Sequence, residues 1–289
     1  MAESEVGFVG LGNMGMPMAR RLAAAGHHVR GFDASPEIMR EIAGDDGFTA
    51  APGVTEIGTD LVLLCLPDSN VVEHVLLAQG LLGSVPEGGM VIDMSSSDPA
   101  RTRELAARAA ESGVTLIDAP VSGGVAGARA GTLTIMVGGA EPAFEAARPV
   151  LAAISPRVVR AGDVGAGHAI KALNNLMSSA NMIVASEALT AGRRFGLDPA
   201  VMLEIVNGSS GRSNSTENKW PAYVLTEKFD MGFTVGLTVK DIRLALGIER
   251  ATGTRSSVSE AVVAAWEAAL ADLSPGADHT EIARWLSQS

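Results

Sequence analysis

Val6-Gly7-Phe8-Val9-Gly10-Leu11-Gly12-Asn13-Met14-Gly15 is an apolar, strand-like run that opens directly into Gly-x-Gly-x-x-Gly and then into a helix-forming segment. This order of strand, glycine turn and helix is what a dinucleotide pyrophosphate needs. Gly10 permits the tight turn, Gly12 lets backbone approach the phosphates with no Cβ in the way, and Gly15 lets the helix pack close to the strand. Gly10, Leu11, Gly12, Asn13, Met14 and Gly15 are therefore the candidate cofactor loop, with the helix N-terminus facing the anion. A glycine pattern alone is common. Here a second strand, residues 28–33, ends in Asp33, at the separation of about twenty residues that the motif requires.

Asp33 bears on the choice of cofactor. A carboxylate at that strand end accepts from the adenosine ribose hydroxyls and repels a 2′-phosphate, and Ala34-Ser35-Pro36 supplies no Arg or Lys to hold one. NAD is expected rather than NADP. Asp33 as a plain helix N-cap is the alternative, and the two roles are compatible.

Outward from this loop, the first half of the chain alternates short apolar runs with helix-like segments. The runs are residues 6–10, 29–33, 61–66, 90–93, 115–118, 133–137 and 158–160, with glycines and prolines at the joints. That alternation predicts an α/β domain with a largely parallel sheet. From residue 167 to 195 the pattern is one long helix. Beyond Gly196 the segments stay helical, starting at Asp198-Pro199 and continuing over residues 241–251, 257–273 and 279–286. The expected organisation is a Rossmann-type dinucleotide-binding domain over residues 1–163, a connecting long helix over 164–195 and an all-helical C-terminal domain over 196–289. No fixed-period repeat interrupts it.

Composition narrows the function classes. Over 289 residues, 47% of them hydrophobic, the formal net charge is −11 with no basic run, which argues against a nucleic-acid surface and against an anionic-membrane anchor. Cys65 stands alone in an apolar run, so it is expected to be a small buried hydrophobe, and no intrachain disulfide is possible. The acidic Met1-Ala2-Glu3-Ser4-Glu5 has none of the character of a signal peptide, and no apolar run reaches membrane-spanning length, so a cytoplasmic protein is expected. The five histidines show no metal-ligand spacing, and no catalytic metal is expected.

Three further segments could carry chemistry. In Gly165-Ala166-Gly167-His168-Ala169-Ile170-Lys171-Ala172-Leu173-Asn174-Asn175, Lys171 and Asn175 share one helix face. A Lys among apolar neighbours is suited to general acid or base duty, with Asn175 orienting a substrate oxygen; an ordinary solvated face reads equally well from spacing alone. Asp118-Ala119-Pro120-Val121-Ser122-Gly123-Gly124 follows a strand, and its Ser-Gly-Gly backbone N–H groups could form a nest for a carboxylate, or simply a flexible loop. No Ser-His-Asp order or nucleophile elbow surrounds Ser122, which argues against a nucleophile. Leu66-Pro67 and Ser95-Ser96-Ser97 follow strands at the carboxyl ends, where open α/β sheets bind ligands. Lys240-Asp241 reads as the start of a helical run, its Lys able to reach toward a ligand or to remain on the surface. Arg212, in the polar run of residues 208–214, could hold a second anionic group or be part of a simple loop.

Taken together, the opening glycine motif, Asp118-Ala119-Pro120-Val121-Ser122-Gly123-Gly124, Gly165-x-Gly167-x-x-x-Lys171-x-x-x-Asn175 and Lys240-Asp241 resemble the β-hydroxyacid dehydrogenase family over nearly the whole chain. The resemblance implies Lys171 as the catalytic residue, with Ser122, Gly123, Gly124 and Asn175 holding substrate. It further implies that Leu66, Pro67, Ser96 and Lys240 contact the cofactor or close over it. Family members often carry Thr where Ser96 stands, and the hydroxyl is retained. The implied reaction is reversible, NAD-linked oxidation of a short 3-hydroxy acid by a homodimer or homotetramer. 3-Hydroxyisobutyrate, L-serine and, in reduction, tartronate semialdehyde stand as alternative substrates. A non-catalytic dinucleotide-binding module is the competing class, against which Lys171, Asn175 and Ser122 all count. An imine reductase is disfavoured because such relatives commonly lack the Lys.

Overall fold

The computed structural model describes residues 5–288; most of the acidic N-terminal stretch read above lies outside them. By its contacts the chain divides into two compact units, Met1–Lys171 and Ala172–Ser289.

The first unit is built on a sheet of nine strands: β1 (Glu5–Val9), β2 (His28–Phe32), β3 (Phe48–Ala50), β4 (Leu61–Leu64), β5 (Met90–Asp93), β6 (Thr115–Asp118), β7 (Val121–Ser122), β8 (Thr134–Gly138) and β9 (Arg157–Gly162). The order β3-β2-β1-β4-β5-β6-β8-β7, with β9 beside β8, is parallel from β3 through β6 and turns antiparallel where β8 meets β6 and β7. The chain runs outward through β2 and β3 and then returns to β4 on the other side of β1. This places the topological switch, the crevice where such sheets bind ligands, beside the glycine loop. Val, Ile and Leu fill both faces. Phe8, Leu22, Leu63 and Ile117 belong to one core, and Val62, Leu64, Val91 and Leu116 to a second. Cys65 packs against the first core, and burial, reinforced by Asp93, pushes its thiol up to about 12, so it serves as a hydrophobe.

Two strands are absent from the sequence reading. Phe48–Ala50 is only three residues long, below the length at which a period-2 pattern is visible. Val121–Ser122 lies in the Ser-Gly-Gly segment, so Ser122 is held on a strand, paired with Thr134, rather than on a flexible loop.

The helix Ala166–Phe195 runs through the division between the units. The second unit is helical and packs around the fully buried Trp266. Asp198 caps Pro199–Asn207 as the Asp-Pro pair implies, accepting from the N–H groups of Ala200 and Val201. Ser215–Val224 is a wide π-type helix that the sequence reading left unassigned; Pro221 inside it has no N–H to give to a regular turn. Lys240 and Asp241 do not start a helix: Val235–Ala251 begins a turn and a half earlier, where Thr234 caps it by accepting from Leu237. Among the described residues no helix is long and apolar enough to cross a membrane.

Candidate active site

The cofactor loop shows which of its glycines the protein needs for itself. Gly10 has φ +91°, and a Cβ there would lie 2.3 Å from the Cys65 carbonyl oxygen. A Cβ on Gly15 would lie 1.8 Å from the Gly10 carbonyl oxygen, so the helix Gly15–Ala24 can start there only from glycine. Gly12 differs: it is exposed, and a Cβ on it would meet nothing within 4 Å. The chain's own packing leaves Gly12 unexplained. A pyrophosphate lying on this backbone explains it, which is the observation by which the loop fits a dinucleotide.

Asp33 is tied into the same loop. Its Oδ2 accepts from the Leu11 backbone N–H at 2.7 Å and its Oδ1 from the Ser35 N–H at 2.8 Å. It is not the cap of the helix Pro36–Ile42; Ser35 is, through its hydroxyl to the Ile38 N–H. A cleft of about 410 Å³ opens here, lined by Phe32, Asp33, Ala34, Pro36, Met39, Ala50, Ala51 and Pro52. Apolar walls around one acid suit an adenosine.

At the ends of β4 and β5 the serines divide their duties. Ser95 and Ser97 are buried and turned to the protein: Ser95 Oγ accepts from the Leu66 N–H at 2.9 Å, and Ser97 Oγ donates to Asp93 Oδ2 at 3.0 Å. Ser96 between them is more exposed, as is Pro67.

The end of β6 holds a buried polar cluster to which the sequence reading gave no role. Asp93 and Asp118 are register partners on adjacent strands and both are buried. Asp118 Oδ1 accepts from the Gly165 N–H at 2.6 Å and Oδ2 from the His168 N–H at 2.7 Å. The buried His168 ring lies between the acids, Nδ1 3.9 Å from Asp118 Oδ2 and Nε2 3.7 Å from Asp93 Oδ2. Thr102 Oγ1 donates its one proton to the Asp98 carbonyl at 2.9 Å, so its 2.9 Å contact with His168 Nδ1 must be donated by the ring. Burial lifts the Asp118 carboxyl above its ordinary range, and Asp93 adds to this; His168 and the two backbone N–H groups oppose it. Lys171 lies three residues beyond His168 and is half-buried.

Gly123 (φ +137°) and Gly124 (φ +63°) adopt backbone that only glycine takes readily, and they lead from the Ser122 strand into the helix Gly124–Ala130.

In the second unit, Asn175 Nδ2 donates to the buried Asp241 Oδ2 at 2.6 Å, and Lys240 Nζ lies 3.3 Å from Asp241 Oδ1. Asn175 and Lys240, from two separate motifs, thus meet at Asp241, which the sequence names beside Lys240 but to which it assigns no site role. The Lys-Asp pair inside an apolar helix was the available signal. Arg212 is exposed and lies 3.7 Å from Glu217 of the following helix, Ser215–Val224.

The chain is similar to known proteins. Residues 5–162 match the family model described as the NAD binding domain of 6-phosphogluconate dehydrogenase. Residues 165–286 match the one described as NAD-binding of NADP-dependent 3-hydroxyisobutyrate dehydrogenase. The chain is 41% identical to 2-(hydroxymethyl)glutarate dehydrogenase of Eubacterium barkeri, over 84% of this chain and 81% of that protein. It is 40% identical to human mitochondrial 3-hydroxyisobutyrate dehydrogenase, over 89% and 78%. Among solved structures, 3-hydroxyisobutyrate dehydrogenase of Mycobacterium tuberculosis with L-serine superposes with a TM-score of 0.90 at 31% identity, covering 98% of this chain and 99% of that one. With the glycine loop, the Ser122 strand and the helix of Lys171 all present in the fold, the chain belongs to the β-hydroxyacid dehydrogenase family.

Proposed function

We propose that this dehydrogenase reversibly oxidises a short 3-hydroxy acid with NAD, Lys171 acting as the general acid/base. Its cofactor domain would be residues 1–163, its connecting helix 164–195 and its helical domain 196–289. The compounds named with its relatives share one skeleton. 3-Hydroxyisobutyrate, 2-(hydroxymethyl)glutarate and the L-serine of the M. tuberculosis structure are all 3-hydroxypropanoates with a substituent at C2. That skeleton, in its 3-hydroxyisobutyrate-like form, is the substrate class we assign.

The observation that carries the reading is the common carboxyl edge of the sheet. The glycine loop leaves β1 there, the Ser122 segment leaves β6 there, and Asp118 at the end of β6 holds the start of the helix that bears Lys171. Gly10 to Gly15 would cradle the pyrophosphate and Asp33 the ribose, with Leu66, Pro67, Ser96 and Lys240 as further cofactor contacts. Asp33 and the absence of a basic side chain among the residues lining its cleft favour NAD over NADP.

Bound nicotinamide supplies the hydride acceptor. Lys171, as the amine, takes the hydroxyl proton while C3 gives up its hydride, and as the ammonium it returns that proton in the reverse direction. Ser122, Gly123 and Gly124 would hold the substrate carboxylate. Asn175 would help hold the substrate, its amide oriented by the N–H it gives to Asp241, with a second N–H and a lone pair of its carbonyl oxygen still to offer. Exposed Met177, Val184, Val201 and Ile205, on two helices of the second unit, support pairing with a second copy into a homodimer or homotetramer, which light scattering would measure.

The test is a reduction assay with 3-hydroxyisobutyrate, L-serine and 2-(hydroxymethyl)glutarate, each with NAD and NADP, on the protein and on Lys171→Ala. The expected result is turnover with NAD and a kcat loss of about 10²- to 10⁴-fold in the variant, with NAD binding retained. Full activity of Lys171→Ala would overturn the reading.

A further inference from the structure

The helix that carries Lys171 starts without a cap of its own. Its first regular bond runs from the Ala169 N–H to the Gly165 carbonyl at 3.0 Å, so Gly165 occupies the N-cap position. That position favours a side-chain oxygen to accept the N–H three residues on. Glycine has none, and its φ of +89° suits glycine alone. Asp118 fills the role from another strand: its two oxygens take the Gly165 N–H and the His168 N–H, the latter being the one an N-cap side chain would take.

The close fit has a steric counterpart. A Cβ on Gly167 would lie 2.2 Å from the Met136 carbonyl oxygen and 2.8 Å from Asp118 Oδ2, and one on Gly138 would lie 2.3 Å from Asp118 Oδ1. Gly167 and Gly138 therefore let the first turn of this helix press onto the end of the sheet, while a Cβ on Gly165 would lie 2.8 Å from the Pro99 carbonyl oxygen of the helix Pro99–Glu111. Thr102 fixes the His168 ring on the same turn.

We infer that Asp118 is a positioning residue for the reaction, capping the Lys171 helix from the strand that leads into Ser122 and so setting proton acceptor and substrate loop in one frame. This rests on Lys171 being the acid/base. A displacement on the order of 1 Å at a reacting group costs about 10²-fold in rate, so such a frame has kinetic consequences.

The test is a double-mutant cycle on the full-length protein, assayed with 3-hydroxyisobutyrate and NAD. Asp118→Asn keeps one carbonyl acceptor, and we expect kcat to fall about 10- to 100-fold with the KM for NAD unchanged; Asp118→Ala should fall further. In the Lys171→Ala background the Asp118→Asn change should cost less than about 3-fold, because a residue acting through Lys171 has nothing left to position. Multiplying losses, or a rise in the KM for NAD that accounts for the whole effect, would overturn the inference while leaving the Lys171 reading intact. Full activity of Lys171→Ala alone would overturn both. Should Asp118→Asn fail to fold by circular dichroism, Thr102→Val enters the same cycle, since it removes the acceptor of His168 Nδ1 together with the hydroxyl's bond to the Asp98 carbonyl within its own helix; the same non-additivity is expected and additivity is again fatal.

Discussion

The backbone N–H of Leu11 donates to Asp33 Oδ2 at 2.7 Å, so the acid at the end of β2 also holds the glycine loop at the end of β1. On the proposed reading this one carboxylate would act on the adenosine ribose directly and, through Leu11, on the shape of the loop beneath the phosphates. Replacing it affects more than ribose selection. Asp33→Ala should raise the KM for NAD roughly 10- to 100-fold, the range of a lost charge-assisted hydrogen bond, and should give no compensating gain for NADP. Initial-rate kinetics with both cofactors would measure this. A variant that merely exchanged NAD for NADP at equal efficiency would show that Asp33 has no part in shaping the loop.

Gly12 and Gly15 separate folding from binding within one motif. Gly12→Ala adds a methyl that meets nothing within 4 Å. Its thermal stability should therefore stay within about 0.5 kcal/mol of the parent, while NAD affinity falls by about 10-fold or more. Gly15→Ala drives a Cβ to 1.8 Å from the Gly10 carbonyl oxygen and should cost about 3 kcal/mol of stability or more. Denaturation midpoints with cofactor titration would decide it. Unimpaired NAD binding by Gly12→Ala would remove the argument that a pyrophosphate occupies that space.

This contrast also shows what was legible in the chain before its structure. The glycine loop, Asp33 and the long helix are local chemistry, in which spacing carries the meaning, and β1, β2 and the helix Ala166–Phe195 lie within two residues of where the pattern puts them. The capping of that helix by Asp118 was not legible, because its partners lie 47 and 50 residues away and Gly165 offers no side chain to betray a cap. The start of the Lys240 helix was misplaced for a related reason. Thr234 is an ordinary capping residue, but glycine at 236 and the apolar residues around it obscured the start of the periodic pattern. Ser215–Val224 escaped because its π-type turns do not follow a 3.6-residue period.

Asn175 takes its orientation from Asp241. Nδ2 gives one N–H to the buried Oδ2 at 2.6 Å and Oδ1 accepts from Asn174 Nδ2 at 3.4 Å, so the amide plane is fixed, with its second N–H and the remaining lone pair of Oδ1 available to a ligand. Asp241→Ala should therefore lower kcat/KM for the hydroxy acid about 10-fold and cost roughly 1–3 kcal/mol of stability, with Asp241→Asn restoring much of both because an amide oxygen still accepts. Steady-state kinetics and urea denaturation on the two variants would check this. An Asp241→Ala enzyme with unchanged kcat/KM would rule out any dependence of the reaction on the orientation of Asn175.

His279 should make the second unit sensitive to acid. The ring is buried against Phe233 and Trp266, and its Nδ1 lies 3.3 Å from the Phe233 carbonyl. Its Nε2 has no hydrogen-bond partner among the described residues. Burial, reinforced by the Lys219 ammonium, pulls the imidazole down to about 4; Asp278 and the Phe233 carbonyl oppose this. A base whose folded-state pKa lies below its unfolded value stays neutral in the fold while the unfolded chain binds a proton. The resulting stability is full above about pH 6.5 and is lost as pH falls toward 4, up to about 3 kcal/mol in all. Urea denaturation at pH 7 and pH 4.5 should show the loss. In His279→Gln, which cannot titrate there, the fall between the two pH values should be smaller by about 2 kcal/mol. Equal falls in parent and variant would place the acid sensitivity elsewhere in the chain.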